Sequence, residues 1–207
     1  MAPTSQRELD GLPALAAAVA AAGVPVGTLA AAALVNNRVQ ADRAAFLRQE
    51  GPTIEAMVGR GGIAAVEAID MSPWVPVPEA VVHRIIRAFH DAGVRLIVGT
   101  DSHHPSLLAG RAGLDEIELL ARSGLSPFAA LEAATSGAAA GIGQADAIGR
   151  VAVGHRADLL LMAENPLDDP AALRALSGVM AAGRWLDRDA LDVLLQAAVM
   201  EGEWPEG

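Results

Sequence analysis

The stretch Val94-Arg95-Leu96-Ile97-Val98-Gly99-Thr100-Asp101-Ser102 carries the reading of the fold. Val94–Val98 is short, β-branched and mostly apolar, as a strand buried on both faces should be. Before it, Val81, Val82, Ile85, Ile86 and Phe89 recur at helical spacing, and Asp91-Ala92-Gly93 closes that helix. Helix, strand, then a carboxylate at the C-terminal end of the strand is the order found in parallel α/β barrels. In such barrels the functional groups sit where strands end and loops begin. Gly99 permits a close backbone approach beside Asp101.

Working outward, Leu12–Ala22 reads as a helix with Asp10 as N-cap and Gly23 as terminator. Gly23–Leu29 follows as a short buried strand. Segments 38–49 and 53–69 read as amphipathic helices separated by Gly51-Pro52, and Met71–Pro78 as a proline-rich loop. On the other side, Leu114, Ile117, Leu120 and Ala121 form one helical stripe. Ser126 and Pro127 then start a second helix that reaches about Ala140. The texture changes after that. Ile148–Val153 and Ala157–Met162 read as a hairpin around Gly154. Gly178–Ala181 and Arg184–Leu186 read as another, turned at Ala182-Gly183, and Leu186–Met200 as a closing helix.

The expected fold class is α/β: an incomplete (β/α) barrel over residues 1–142, holding the last strands and helices of a TIM-type barrel. Residues 143–207 are expected to form a small β-sandwich element with a closing helix. A complete barrel takes roughly 200–250 residues, and only two convincing strands precede the β element.

Composition narrows the function. The net charge is −10 and no basic run is present, which argues against a nucleic-acid partner. The apolar run Leu12–Leu34 is broken by Gly23, Pro25 and Gly27, so no membrane span is expected. The start Met1–Asp10 is polar and carries Glu8 and Asp10, unlike a signal peptide. A cytoplasmic location is expected. The absence of cysteine excludes disulfides, thiolate ligands and a cysteine nucleophile. All 15 basic residues other than histidine are arginine.

Asp101 is the leading candidate for chemistry. A carboxylate at a strand end can bind a divalent metal and accept a proton from metal-bound water. By position alone, capping of the next turn is an equal reading. His103 and His104 are open to two readings: lining of the pocket mouth with an added ligand role, or solvated loop histidines. Arg111 is a candidate contact for a substrate carboxylate or one half of a surface salt bridge. His83 and His90 fall on a polar helix face, His155 falls in a turn, and Ser102 has no evident base partner.

Ile97–Ser102 resembles the final barrel strand of the metal-dependent amidohydrolase superfamily. Glu118–Thr135 is similar to the helix pair that follows it there. Ile148–Met162 resembles the family's IGxIxxGxxADLVLL segment, and Asn165-Pro166-Leu167 and Val179–Trp185 resemble its continuation. The order of these blocks covers roughly residues 79–195, with a weaker extension to Leu12–Leu29. Imidazolonepropionase-like and prolidase-type enzymes are the nearest branch. The resemblance implies a (β/α)₈ barrel with one or two divalent metals, most often zinc, that hydrolyses C–N bonds of small molecules. It assigns Asp101 to metal binding and to proton transfer from water to the leaving group.

The departures are specific. The family's His-x-His pair is missing, and a chain without lysine cannot supply a carboxylated lysine. The chain alone is therefore expected not to hold the metal, and to be the inactive C-terminal portion of a hydrolase. Such a portion needs an N-terminal half or self-association. The alternative is a non-catalytic remnant or an interaction subunit that pairs with another chain.

Overall fold

The computed structural model describes residues 6–102 and 106–201. Its centre is a parallel pair of strands, β1 (Val26–Thr28) and β2 (Leu96–Val98), in the register Val26↔Leu96, Gly27↔Ile97, Thr28↔Val98. Two further bonds lengthen the ladder: Val26 N–H donates to Arg95 O at 2.9 Å, and Gly99 N–H donates to Thr28 O at 3.0 Å. Among the described residues this sheet has two strands, and no barrel closes.

Parallel strands need a crossover. Here it is α3 (Ala30–Ala41), α4 (Arg43–Ala68) and α5 (Glu79–Asp91). The helices α1 (Gln6–Asp10) and α2 (Leu12–Ala22) precede β1. The helices α6 (Arg111–Arg122), α7 (Pro127–Ala134) and α8 (Ser136–Gly141) follow β2. The expected stripe of α5 buries Val82 and Ile86, which join Val94, Leu96, Leu119, Leu120 and Ala130 in the main core. Gly23 ends α2 in the left-handed region with φ 66°. Ser126 caps α7 by accepting from Ala129 N–H at 3.1 Å.

The C-terminal part is an antiparallel sheet ordered β3 (Leu159–Met162), β4 (Leu176–Ala181), β5 (Arg184–Asp187), and α9 (Arg188–Glu201) packs on β4, β5 and α4. The β4–β5 hairpin turns at Ala182-Gly183 as its sequence indicates. Both residues have positive φ, 49° and 83°, which matches the twist of a two-residue hairpin. The turn Pro170–Arg174 ties this sheet to α6. Leu173 enters the main core, and Arg174 pairs with Asp115 and Glu118.

Four local expectations need correction. Gly11, rather than Asp10, occupies the N-cap position of α2. The chain does not break at Gly51-Pro52. Asp42 ends α3 and starts α4, its carboxylate accepting from Ala45 N–H at 2.8 Å. The helix then runs through Pro52 and kinks at Gly59, whose φ 73° and ψ −177° belong to a region used essentially by glycine. The helix expected from Ser126 to Ala140 is divided at Thr135 (φ −127°, ψ −101°). Finally, Ile148–Val153 is not a strand. Gly149 is pressed onto α8, where a Cβ would lie 2.8 Å from Ala139 Cβ and from Thr135 O. The N–H groups of Ile148, His155 and Arg156 close local turns, and Val151 and Val153 stay exposed. No described helix is long and apolar enough to cross a membrane.

Glu116 is wholly buried on α6. One carboxylate oxygen accepts from Ala30 N–H at 3.1 Å, and the other from Ala31 N–H at 2.6 Å. These are two of the unpaired donors at the N-terminus of α3, where the helix dipole also favours a negative charge. The carboxylate thus caps α3 from 85 residues away. Burial raises its pKa from 4.5, outweighing the bonds from Ala31, Thr28 and Ala30 that lower it. A raised folded pKa makes the protein most stable below the unfolded value, and that stability fades as pH climbs through the folded value. Glu116→Gln keeps one acceptor but turns an N–H₂ toward a backbone donor, an expected loss of about 1–3 kcal/mol. Urea unfolding from pH 5 to 8 should show the gap between wild type and variant narrowing as pH rises. A gap that widens with pH would refute this account of Glu116.

Candidate active site

Asp101 stands three residues beyond β2, at the strand's C-terminal end, and is exposed. Its φ is 52°, a left-handed conformation rare for a non-glycine residue and best tolerated by Asn and Asp. Strain of this kind concentrates at functional sites. Gly99 gives the room for a close approach two residues earlier. A Cβ there would sit 3.0 Å from Thr28 O and 3.1 Å from Leu29 Cδ2, against the end of β1. Since Glu116 holds the β1–α3 turn, the two strand ends are fixed side by side beneath Asp101.

Asp101 lines a cleft of about 260 Å³ together with Ala32, Asn36, Asp70, Met71, Pro73 and Trp74. One wall is α3 and the other is the loop after α4. The loop has little regular structure and is held by side chains of α3 instead. Asn37 Oδ1 accepts from Trp74 Nε1–H and from Val77 N–H, both at 3.1 Å, and Asn37 Nδ2–H donates to Val77 O at 2.6 Å. Gln40 Nε2–H donates to Met71 O at 3.2 Å and Trp74 O at 2.9 Å. Asp70 accepts from Ser72 N–H at 2.9 Å, and this bond leads the causes that hold its carboxyl below the usual carboxylate range.

The other sequence candidates lie elsewhere. Arg111 does not line the Asp101 cleft. It donates to Glu50 at 3.0 Å and lies 3.8 Å from Asp115. With Arg38, Asp115, Glu118 and Arg122 it lines a larger cleft of about 410 Å³ between α3 and α6. The cations there are already paired: Arg38 and Arg111 both meet Glu50, and Arg122 approaches Glu79. The smaller cleft is therefore the chemical candidate, because it holds the strand-end carboxylate. His103 and His104 lie outside the described residues.

Glu79, His83 and Ser123 have the order of a hydrolytic triad, with His83 Nε2 3.3 Å from Glu79 and His83 Nδ1 2.7 Å from Ser123 Oγ. Ser123 is buried, however, and its hydroxyl donates to Leu119 O at 2.7 Å, so its proton is committed to a helix end. This agrees with a structural part for His83. His155 lies 3.1 Å from Ala145 O, in its own turn.

Among the described residues no group of three His, Asp or Glu converges as a metal site would require. Asp101 alone does not amount to one, since catalytic zinc commonly takes three protein ligands.

Sequence reasoning missed Glu116, Asn37 and Asp70. A charge on the buried face of α6, four residues from both Ala112 and Leu120, was the available signal for Glu116. The roles of Asn37 and Asp70 depend on how a loop folds back, which local pattern does not encode.

Residues 70–186 match the family profile described as the amidohydrolase family, more than half of the 207 residues. Among solved structures, the chain is similar to a bottromycin amidohydrolase at 29% identity and a TM-score of 0.63, over 87% of this chain and 41% of that one. A second amidohydrolase matches at 26% identity and a TM-score of 0.56, over 83% and 36%. A prolidase complexed with N-methylphosphonate-L-proline shares the fold at 22% identity and a TM-score of 0.56, over 85% and 38%. The chain thus spans 36–41% of the length of these proteins. No curated protein sequence matches it.

Asn37→Ala removes the anchor of the cleft's loop. Backbone amide exchange should quicken across residues 71–77 while β1 and β2 stay protected. Unchanged exchange at Val77 would show that the loop is held by other means.

Proposed function

The chain belongs to the amidohydrolase family, and from that premise we propose that it carries the proton-transferring carboxylate of a hydrolase acting on peptide-like or non-peptide C–N bonds. Asp101 is that carboxylate. The observation that carries the reading is its place: a strained, exposed aspartate at the C-terminal end of a parallel strand, lining a cleft. There it can accept a proton from an attacking water and deliver it to the departing nitrogen.

The chain works in association with further polypeptide, either an N-terminal half or another copy, and is inactive alone. Zinc is the metal of the assembled enzyme, with most of its ligands contributed by that polypeptide, and the enzyme is cytoplasmic. The substrate is a small molecule, with no nucleic acid or membrane partner. Among the described residues the β1–β2 pair has two unpaired edges, and these support the association, because unpaired strand edges favour pairing with another chain. The same edges favour a second reading, a non-catalytic subunit that only binds its partner.

The two readings separate by experiment. Asp101→Asn should lower hydrolysis of a panel of dipeptides and N-acyl amides by the assembled protein about 10²–10⁴-fold, with an unchanged circular dichroism spectrum. Equal rates would overturn the assignment of Asp101, and no hydrolysis by any assembly would favour the binding subunit. Light scattering on a sizing column should give a mass above the 21.1 kDa of one chain. A monodisperse monomer would refute association with another copy.

A further inference from the structure

We propose that the cleft beside Asp101 is a recognition pocket for an apolar group bearing an amine, with Asp70 as the counter-charge and Trp74 and Met71 as the apolar wall. The proposal rests on the hydrolase reading for its place in the reaction, since it names the chemistry of the substrate part that sits next to Asp101.

Three observations carry it. First, the cleft's lining joins opposite characters. Ala32, Met71, Pro73 and Trp74 supply apolar surface, while Asp70 and Asp101 supply two carboxylates and Asn36 an amide. An ammonium on an apolar stem matches both: its charge meets Asp70 and its stem covers the side chains. An indole wall adds favourable contact with a cation. Second, the acid on the loop is held in place. Ser72 N–H binds Asp70 Oδ1 at 2.9 Å. Arg43, the cation acting on Asp70, donates through both terminal nitrogens to Glu67 O and Ile69 O at the end of α4, so neither of these bonds goes to that carboxylate. Third, the wall is organised before any ligand arrives. Trp74 is bonded through its indole N–H to Asn37 and through its carbonyl to Gln40, so little ordering remains to be done on binding.

Recognition and catalysis then divide between the two carboxylates. Asp70 on the loop sets which substrate is accepted. Asp101 at the strand end transfers the proton. A carboxylate-bearing group in the same place would meet like charge instead, a repulsion that solvent moderates because both aspartates are exposed.

The test uses binding to the full chain, independent of turnover. With Trp185→Phe and Trp204→Phe, Trp74 is the remaining tryptophan. Benzylamine hydrochloride, benzyl alcohol and sodium benzoate are titrated at pH 7 while Trp74 emission is followed. Benzylamine should give a saturable change and bind tighter than benzyl alcohol, with benzoate weakest. Asp70→Asn, which keeps the acceptor for Ser72 N–H, should weaken benzylamine about 5–10-fold and leave benzyl alcohol unchanged. The proposal is overturned by benzoate binding as tightly as benzylamine, by the absence of a saturable response, or by equal affinity in Asp70→Asn. Amine binding in a protein that never hydrolyses would sink the hydrolase reading alone. Hydrolysis without amine preference would sink the pocket alone.

Discussion

A single buried carboxylate organises the parallel half of this protein. Glu116 reaches from α6 to the first two N–H groups of α3, so the turn leaving β1 is held by a helix that follows β2. The arrangement costs desolvation, which is why the pKa of Glu116 is raised. Returned to water, the carboxylate would leave Ala30 and Ala31 N–H without their partner. A buried acceptor shared by two helix-terminal donors is strongly directional, and it fixes α3 and α6 relative to each other in a way that Ala, Val and Leu packing would not. With an aromatic content of only 3% the core has few large shapes to enforce a unique fit, so a polar clasp carries more of the specificity.

That clasp bears on the site through short steps. The β1–α3 turn holds Thr28, whose carbonyl accepts from Gly99 N–H. Gly99 allows the close approach, and two residues later Asp101 takes its left-handed conformation at the rim. The opposite wall has a separate origin. Asn37 and Gln40, on the outer part of α3, bind the backbone of the loop from Met71 to Val77. One helix therefore sets both walls: its first turn is held through Glu116, and its later turns carry the loop.

Much of the architecture was legible from residue patterns. The helical stripe of Val82 and Ile86, the strand Leu96–Val98, the Ser126-Pro127 cap and the Ala182-Gly183 hairpin all depend on interactions within a few residues, and all are present. The misreadings share a cause. Gly51-Pro52 has the local signature of a break, yet Pro52 continues the helix and the kink falls at Gly59. Ile148–Val153 has the β-branched residues of a strand, yet contact between Gly149 and α8 turns it away. Local propensity in each case yields to packing, with Gly51 and Ile54 buried along α4 and Gly149 against Ala139 of α8.

For the site, the sequence by itself determined the strand-end position of Asp101, the close approach that Gly99 permits beside it and the membership in the amidohydrolase family, because each is written in contiguous residues or in the order of blocks. Only the tertiary structure decided that Asp101 shares a cleft with Asp70 and Trp74 while Arg111 is spent on Glu50. Those pairings join residues some 30 to 60 positions apart. They follow from how α3, the loop after α4 and α6 come together, and that geometry has no signature within any one stretch of the chain.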